Sequence, residues 1–276
     1  MAALICLASA GGPASATDFI STKPAVRVEY WQDRYTQIDA AVADVKSLPA
    51  VKLLFVGDSI TDFWLLDDNP WMPEKKCGRR IWDESFQQPG SNNFALNIGV
   101  SGDRTEHLLY RLLPKAEGGM GQIDAPELNP ELIVLMIGIN NSWAAEEPAA
   151  DSVFEGARAV ILALHQRKPG VPIVLQSLLP IVDEPKDIEV VQPVNKRLRA
   201  LAESEPFAGY VSFLDLYPAF LNSSGKQEAS YFNDGIHPSL EGYRVWRDQL
   251  VPFLEKTRAA RPRAQGTSNP ASVGLL

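Results

Sequence analysis

Val56-Gly57-Asp58-Ser59-Ile60-Thr61, set directly behind the apolar run Val51-Lys52-Leu53-Leu54-Phe55, decides how this chain is read. The run reads as a buried strand, and Asp-Ser at its end reads as the start of a helix. A serine at that junction lies beyond the carboxyl end of a strand, where open α/β sheets bind their ligands. Its backbone N–H stands where developing negative charge is favoured. In isolation Asp58 and Ser59 do no more than cap a helix, since both are preferred N-cap residues.

A second segment, Asp234-Gly235-Ile236-His237-Pro238, changes that balance. In Asp-x-x-His the carboxylate and the imidazole can meet across one turn. Serine is a poor nucleophile until a base takes its proton, and histidine titrates in the useful range. A carboxylate on the other ring nitrogen fixes the tautomer and stabilises the imidazolium. Taken singly, Asp234-Gly235 is an ordinary turn and His237-Pro238 an ordinary loop. Together with Ser59 they supply the three parts of an activated serine.

Outward from these two segments the chain alternates strand and helix, the mark of a parallel α/β sheet. Strands are expected at Val51–Val56, Phe94–Asn97, Leu132–Ile137, Ile173–Gln176 and Tyr210–Leu214. Helical periodicity runs through Glu29–Ser47, Thr105–Leu113, Ala150–Arg167, Asp187–Glu203 and Leu240–Lys256. Two strand ends carry further polar motifs. Asn97-Ile98-Gly99-Val100-Ser101-Gly102-Asp103-Arg104-Thr105 has glycines that permit close backbone approach and free an N–H for a ligand. Gly138-Ile139-Asn140-Asn141 follows the buried run Leu132–Ile137 and offers side-chain amides, which can donate to an oxyanion. Each block alone is a turn or a cap.

With these residues in view the chain resembles the GDSL or SGNH hydrolases, a family defined by four blocks carrying Ser, Gly, Asn and His. The matching positions, in the family's order, are Gly57-Asp58-Ser59, Gly102, Asn140 and Asp234-x-x-His237. The stretch Asn97–Leu113 and Gly138-Ile139-Asn140-Asn141 look most like the branch related to platelet-activating-factor acetylhydrolase. The resemblance extends from about Val51 to Leu254. It implies a three-layer α/β/α, flavodoxin-like fold with a parallel five-stranded sheet in the order 2-1-3-4-5. It also implies that Ser59 is the nucleophile, His237 the general base and acid, and Asp234 its orienting partner. The Ser59 and Gly102 N–H groups and the Asn140 amide become the oxyanion hole. Many members carry Asp where this chain has Asn141, which bears on the hydrogen-bond support of Asn140.

The implied activity is hydrolysis of a short, acetyl-like carboxylic ester through an acyl-enzyme, with no cofactor and no metal. Carbohydrate O-acetylesterase and thioesterase or lysophospholipase chemistry are the rivals. A non-catalytic binding module is disfavoured because no triad member is missing. Asp58, Arg104, Asn141 and Trp143 are candidate substrate-lining residues. The Asp67–Asn92 connection, with Trp71, Trp82 and Phe86, is long enough to be a lid, although an aromatic in such a loop more often anchors it. His107 and His165 lie on expected helices without metal-ligand neighbours and read as packed or surface histidines.

Composition bounds the remaining classes. The chain has 276 residues, 45% of them hydrophobic, enough for one full core. The formal net charge of −8, without a basic patch, argues against nucleic acid and anionic membrane partners. No apolar run reaches the ~18 residues that span a bilayer. Residues 1–16 carry no charge, and Leu4-Ile5-Cys6-Leu7-Ala8 followed by Ala14-Ser15-Ala16 reads as a signal peptide, hence a periplasmic or secreted address. Residues 17–258 are expected to form one hydrolase domain and 259–276 a disordered tail. Cys77 is left as a bystander thiol.

Overall fold

Five strands form one all-parallel sheet: β1 (Leu53–Gly57), β2 (Ala95–Asn97), β3 (Leu132–Met136), β4 (Ile173–Gln176) and β5 (Val211–Leu214). Their spatial order is β2-β1-β3-β4-β5. The computed structural model describes residues 18–27 and 31–260. The expected signal peptide and the expected tail from residue 261 onward lie outside the described residues. Positions 259 and 260 instead continue the last helix.

β1 and β3 pair from Leu53↔Leu132 to Gly57↔Met136, and both are buried at every position. That explains their unbroken apolar sequence: a central parallel strand is covered on both faces, so no polar alternation is possible. The connecting helices are α1 (Gln32–Ala43), α2 (Ser59–Asp62), α3 (Arg79–Phe86), α4 (Thr105–Leu112), α5 (Ala149–Arg167), α6 (Gln192–Glu203) and α7 (Leu240–Ala260). A π-helical turn, Asp187–Val191, runs straight into α6, so the single expected helix over Asp187–Glu203 has two geometries. Among the described residues no helix is long and apolar enough to cross a membrane.

The Asp67–Asn92 connection is ordered, and it contains two features that the sequence reading missed. One is a short antiparallel hairpin, Asp68–Asn69 with Met72–Lys76, inserted between β1 and β2. The other is α3. Trp82 and Phe86 leave the loop surface and enter the core, where both rings sit edge-on to Phe55 of β1 at 5.0 Å. Trp64 joins them and contacts Tyr243 and Trp246 of α7 at 4.6 and 5.1 Å. Each such aromatic pair contributes about 0.5–1.5 kcal/mol beyond its buried area. An aromatic slot of Trp71, Trp82 and Phe86 over the serine therefore does not form; only Trp71 stays at the surface.

The same cluster fixes the helix that carries Ser59. Tyr243 Oη donates to the Ile60 carbonyl at 2.8 Å, tying α7 to the turn that carries Ser59. Gly57 allows that turn to close: a Cβ there would stand 2.2 Å from Thr61 Oγ1 and 2.3 Å from the Met136 carbonyl. Neither neighbour can retreat, one being in α2 and the other in β3. Gly57→Ala is therefore expected to destabilise the protein by about 3 kcal/mol or more, the upper range for overpacking a rigid site. Urea unfolding measures this; a loss below about 1 kcal/mol shows that the turn is adaptable.

Candidate active site

β1 ends at Gly57, and Asp58 caps α2 by accepting the Ile60 N–H on Oδ1 at 3.0 Å. Ser59 is then the first helical residue. α2 is a single turn that continues as a 3₁₀ segment, Phe63–Leu65. Any help to negative charge at Ser59 thus comes from its own N–H rather than from a long helix dipole. Ser59 Oγ lies 2.9 Å from His237 Nε2, and His237 Nδ1 lies 2.7 Å from Asp234 Oδ2.

The Asp-x-x-His loop is locked by its own hydrogen bonds. Asp234 Oδ1 accepts the N–H groups of Ile236 (3.0 Å) and His237 (2.8 Å). Gly235 takes φ +85°, and its carbonyl accepts from Val182 N and Gln227 Nε2. Burial alone pushes the Asp234 carboxyl up, but bonds from the His237 ring and these backbone donors bring it below the ordinary carboxylate range. The charged form that holds the imidazole is thus the stable one. Phe63 stacks on the His237 ring at 4.8 Å and Trp71 contacts it at 5.2 Å, which limits its rotation.

The segment after β2 shows a pattern of backbone pairing that singles out one residue. The N–H groups of Ile98 and Val100 go to the Phe55 and Gly57 carbonyls, and that of Asp103 goes to the Val100 carbonyl. Gly99 N donates to Asn97 Oδ1, Ser101 N to Asp62 Oδ2, Arg104 N to His107 Nδ1 and Thr105 N to Asn141 Oδ1. Among the described residues only the Gly102 N–H of this run has no acceptor, and Gly102 takes φ +78°. Asn140 Nδ2 donates to the Asp103 carbonyl at 2.8 Å, which links the third block to the second.

Two candidate lining residues are displaced by the structure. Asp58 is fully buried, so it caps α2 and lines nothing. Asn141 is also fully buried and bridges Thr105 N and Glu106 Oε2, so it supports α4 rather than meeting substrate. Arg104 remains partly exposed beside Glu106, and Trp143 is 44% exposed with the Lys186 ammonium 5.2 Å from its ring. His107 has the unforeseen role of capping α4; burial pushes its imidazole down to about 4, so it is neutral at pH 7. His165 stacks on Tyr210. Cys77 is buried, which pushes its thiol up to about 12 and leaves it unreactive. Arg27, Arg34, Asp62 and Arg111, given no role by the sequence, form ion pairs beside the Gly102 loop, two of them with Asp103 of the loop itself. A cavity of about 650 Å³ adjoins the site, walled by Trp31, Phe63 and Trp71 with Arg34, Gln37 and Ser101.

A serine, histidine and aspartate in hydrogen-bonded series at the carboxyl end of a parallel sheet form a hydrolase-type site. Residues 55–245 match the model of the GDSL-like lipase/acylhydrolase family, and the chain belongs to that family. It is 31% identical over 203 residues to platelet-activating factor acetylhydrolase IB subunit alpha1 of Pongo abelii, covering 73% of this chain and 74% of that protein. The alpha2 subunit of Rattus norvegicus is 30% identical over 209 residues, covering 74% and 78%. A putative acylhydrolase from Bacteroides fragilis superposes with a TM-score of 0.59 at 20% identity, over 84% of this chain and 99% of that one. The protein is a carboxylic ester hydrolase.

Asp58 has a consequence for stability. Burial pushes its carboxyl up to about 7, only partly offset by the Ile60 N–H, and among the described residues its Oδ2 has no hydrogen-bond partner. The unfolded chain ionises this group near pH ~3.9, so the folded state loses stability as pH rises from about 4 to 7. Asp58→Asn keeps the cap and removes the titration. Its Tm is expected to exceed wild type by about 2 °C or more at pH 8 and to match it at pH 4. A parallel Tm–pH curve for the two proteins means that Asp58 is ionised throughout.

Proposed function

We propose that this protein hydrolyses short-chain, acetyl-like carboxylic esters through an acyl-enzyme on Ser59. The observation that carries the reading is the Ser59–His237–Asp234 series at 2.9 and 2.7 Å, beside a loop whose unpaired donor is the Gly102 N–H. Ser59 Oγ attacks the ester carbonyl as its proton passes to His237 Nε2. The resulting oxyanion is held by the N–H groups of Ser59 and Gly102 and by the Asn140 amide. Collapse expels the alcohol, protonated by His237. Water, deprotonated by the same imidazole, then attacks the acyl-enzyme and releases the carboxylic acid. Asp234 remains ionised throughout and keeps the ring in the productive tautomer.

Small acyl groups are favoured for two reasons. The relatives named above are acetylhydrolases. Each acyl CH₂ gains ~0.8 kcal/mol only where an apolar wall receives it, and Trp82 and Phe86 are already used in the core. The adjoining cavity mixes the Trp31 and Trp71 rings with Arg34, Gln37 and Asp33. That mixture favours a polyhydroxylated alcohol as a second reading, an O-acetylated carbohydrate, since sugar rings stack on aromatic faces and bond to a polar rim.

Ser59→Ala and His237→Ala are each expected to lower kcat by at least ~10³ without altering the fold, because nucleophile and base act as a unit. p-Nitrophenyl acetate turnover measures it, and a tenth of wild-type activity in either variant overturns the assignment. Asn140→Ala is expected to cost ~10²–10³ in kcat with little change in KM. Along p-nitrophenyl esters from acetate to decanoate, kcat/KM is expected to fall beyond about four to six acyl carbons. A maximum at octanoate or longer replaces the short-acyl reading with a lipase-like one.

A further inference from the structure

Three arginines surround the loop between β2 and α4, and together they hold carbonyls rather than ligands. Arg34 donates from Nη2 to the Asn97 carbonyl at 2.8 Å and from Nε to the Gly99 carbonyl at 3.0 Å. Arg111 donates from Nη1 to the Ile98 carbonyl at 2.7 Å. Arg27 donates from Nη1 to the Ser101 carbonyl at 2.5 Å. Four of the five carbonyls from 97 to 101, those of residues 97, 98, 99 and 101, are therefore bound by guanidinium groups. The Val100 carbonyl closes a turn onto Asp103 N, and the Asp103 carbonyl takes Asn140.

The guanidinium groups are themselves fixed by two carboxylates that also touch the loop. Arg34 Nε lies 2.7 Å from Asp62 Oδ1, and Asp62 Oδ2 accepts the Ser101 N–H. Arg111 Nε lies 2.7 Å from Asp103 Oδ2, and Arg27 Nη1 lies 3.0 Å from Asp103 Oδ1. Arg111 also reaches the Gly57 carbonyl at 3.3 Å, two residues before the nucleophile. Bonds to charged donors are shorter and stronger than neutral ones, and the planar fork of arginine fixes direction as well as distance.

We infer that Arg27, Arg34 and Arg111 are positioning residues of the oxyanion hole: by binding the carbonyls of residues 97, 98, 99 and 101 they set the rotation of the peptide plane that carries the Gly102 N–H. The inference rests on the Gly102 assignment of the proposed function. The Ser101–Gly102 peptide plane holds both the Ser101 carbonyl, bound by Arg27, and the Gly102 N–H on its opposite edge. A peptide unit is planar, so gripping its oxygen aims its hydrogen. Glycine at φ +78° offers little resistance to rotation of its own, which is why the grip is needed. In this role the three side chains act on catalysis through one donor, by way of the loop backbone.

Arg34→Met and Arg27→Met test this directly. Both side chains lie at the periphery of the network, 15% and 10% exposed, whereas Arg111 is fully buried and its loss threatens the fold. Folded protein, judged by circular dichroism and Tm, is assayed with p-nitrophenyl acetate and with a reversible trifluoromethyl ketone that forms a hemiketal oxyanion. The expected result is a drop in kcat of about 10–100-fold, less than for deleting a donor outright, with KM within about threefold. Ketone affinity is expected to fall by a similar factor. Combined with Asn140→Ala, the losses are expected to be less than multiplicative, since both changes disable one hole. Full kcat in both folded variants overturns the inference, as does ketone affinity equal to wild type or multiplicative loss with Asn140→Ala. If Arg34→Met does not fold, Arg27→Met carries the test alone. Failure of the underlying reading is distinct, because it appears as activity retained in Ser59→Ala.

Discussion

Backbone polar groups removed from water must be paired, and the loop from Ile98 to Thr105 meets that requirement at every N–H but one. Much of the site follows from how it does so. The donors reach back to β1 through the Phe55 and Gly57 carbonyls and sideways to Asp62 of α2. They reach forward to His107 in the first turn of α4 and across to Asn141 beyond the end of β3. The loop is therefore anchored to the strand that delivers Ser59, to the helix that carries it, and to the strand end that presents Asn140. A shift in any one of these elements is felt by all three. Such over-determination is what keeps a freely rotating glycine at one conformation, φ +78°.

The imidazole beside Ser59 is delivered by different physics. His237 belongs to no strand or helix, yet its ring is as constrained as a core side chain. Its backbone N–H is taken by the same carboxylate whose other oxygen meets Nδ1, so Asp234 fixes both ends of the residue. Phe63 and Trp71 then close the ring's faces. Phe63 stands one turn after Ser59 on the same short helical stretch, so the segment that provides Ser59 also provides the wall against the His237 ring. Local hydrogen bonding thus sets the loop, and aromatic contact sets the side chain.

The parts of this arrangement that were legible in the sequence are those written in local chemistry. Leu53–Gly57 and Leu132–Met136 show as unbroken apolar runs because both faces are buried. Ser59, Asp234 and His237 show because their functional groups are rare in such settings. α3 was not legible: Trp82 and Phe86 are separated by charged residues within a connection rich in turn formers, and only their contacts with Phe55 reveal them as core. Asp58 and Asn141 were misjudged as lining because a polar residue beside a catalytic one reads alike whether it faces substrate or backbone. Their burial is a tertiary fact. Arg27 precedes α1, Arg34 lies on α1 and Arg111 on α4, and the three converge only in the fold, so no short window of sequence contains them all.

The buried charges raise the question of why this loop is held by ion pairs at all. Apolar replacement of buried ion pairs is often neutral or stabilising, so stability alone does not require Arg111, Asp103 and their neighbours. The alternative way to satisfy the same carbonyls is regular secondary structure. A helix or a longer β2 would pair the carbonyls of residues 97–101 with backbone donors. It would also pair the Gly102 N–H with a backbone acceptor and leave no donor free. Side-chain donors break that symmetry, because a guanidinium supplies hydrogens without bringing an acceptor of its own. Two aspartates then offset part of the charge of the three arginines, one of them accepting the Ser101 N–H. The carbonyls are satisfied, the neighbouring N–H groups are satisfied, and one N–H remains over. A donor left unpaired beside Ser59 is what the proposed ester hydrolysis needs, and an arginine-lined turn is a way to keep it unpaired at a half-buried position.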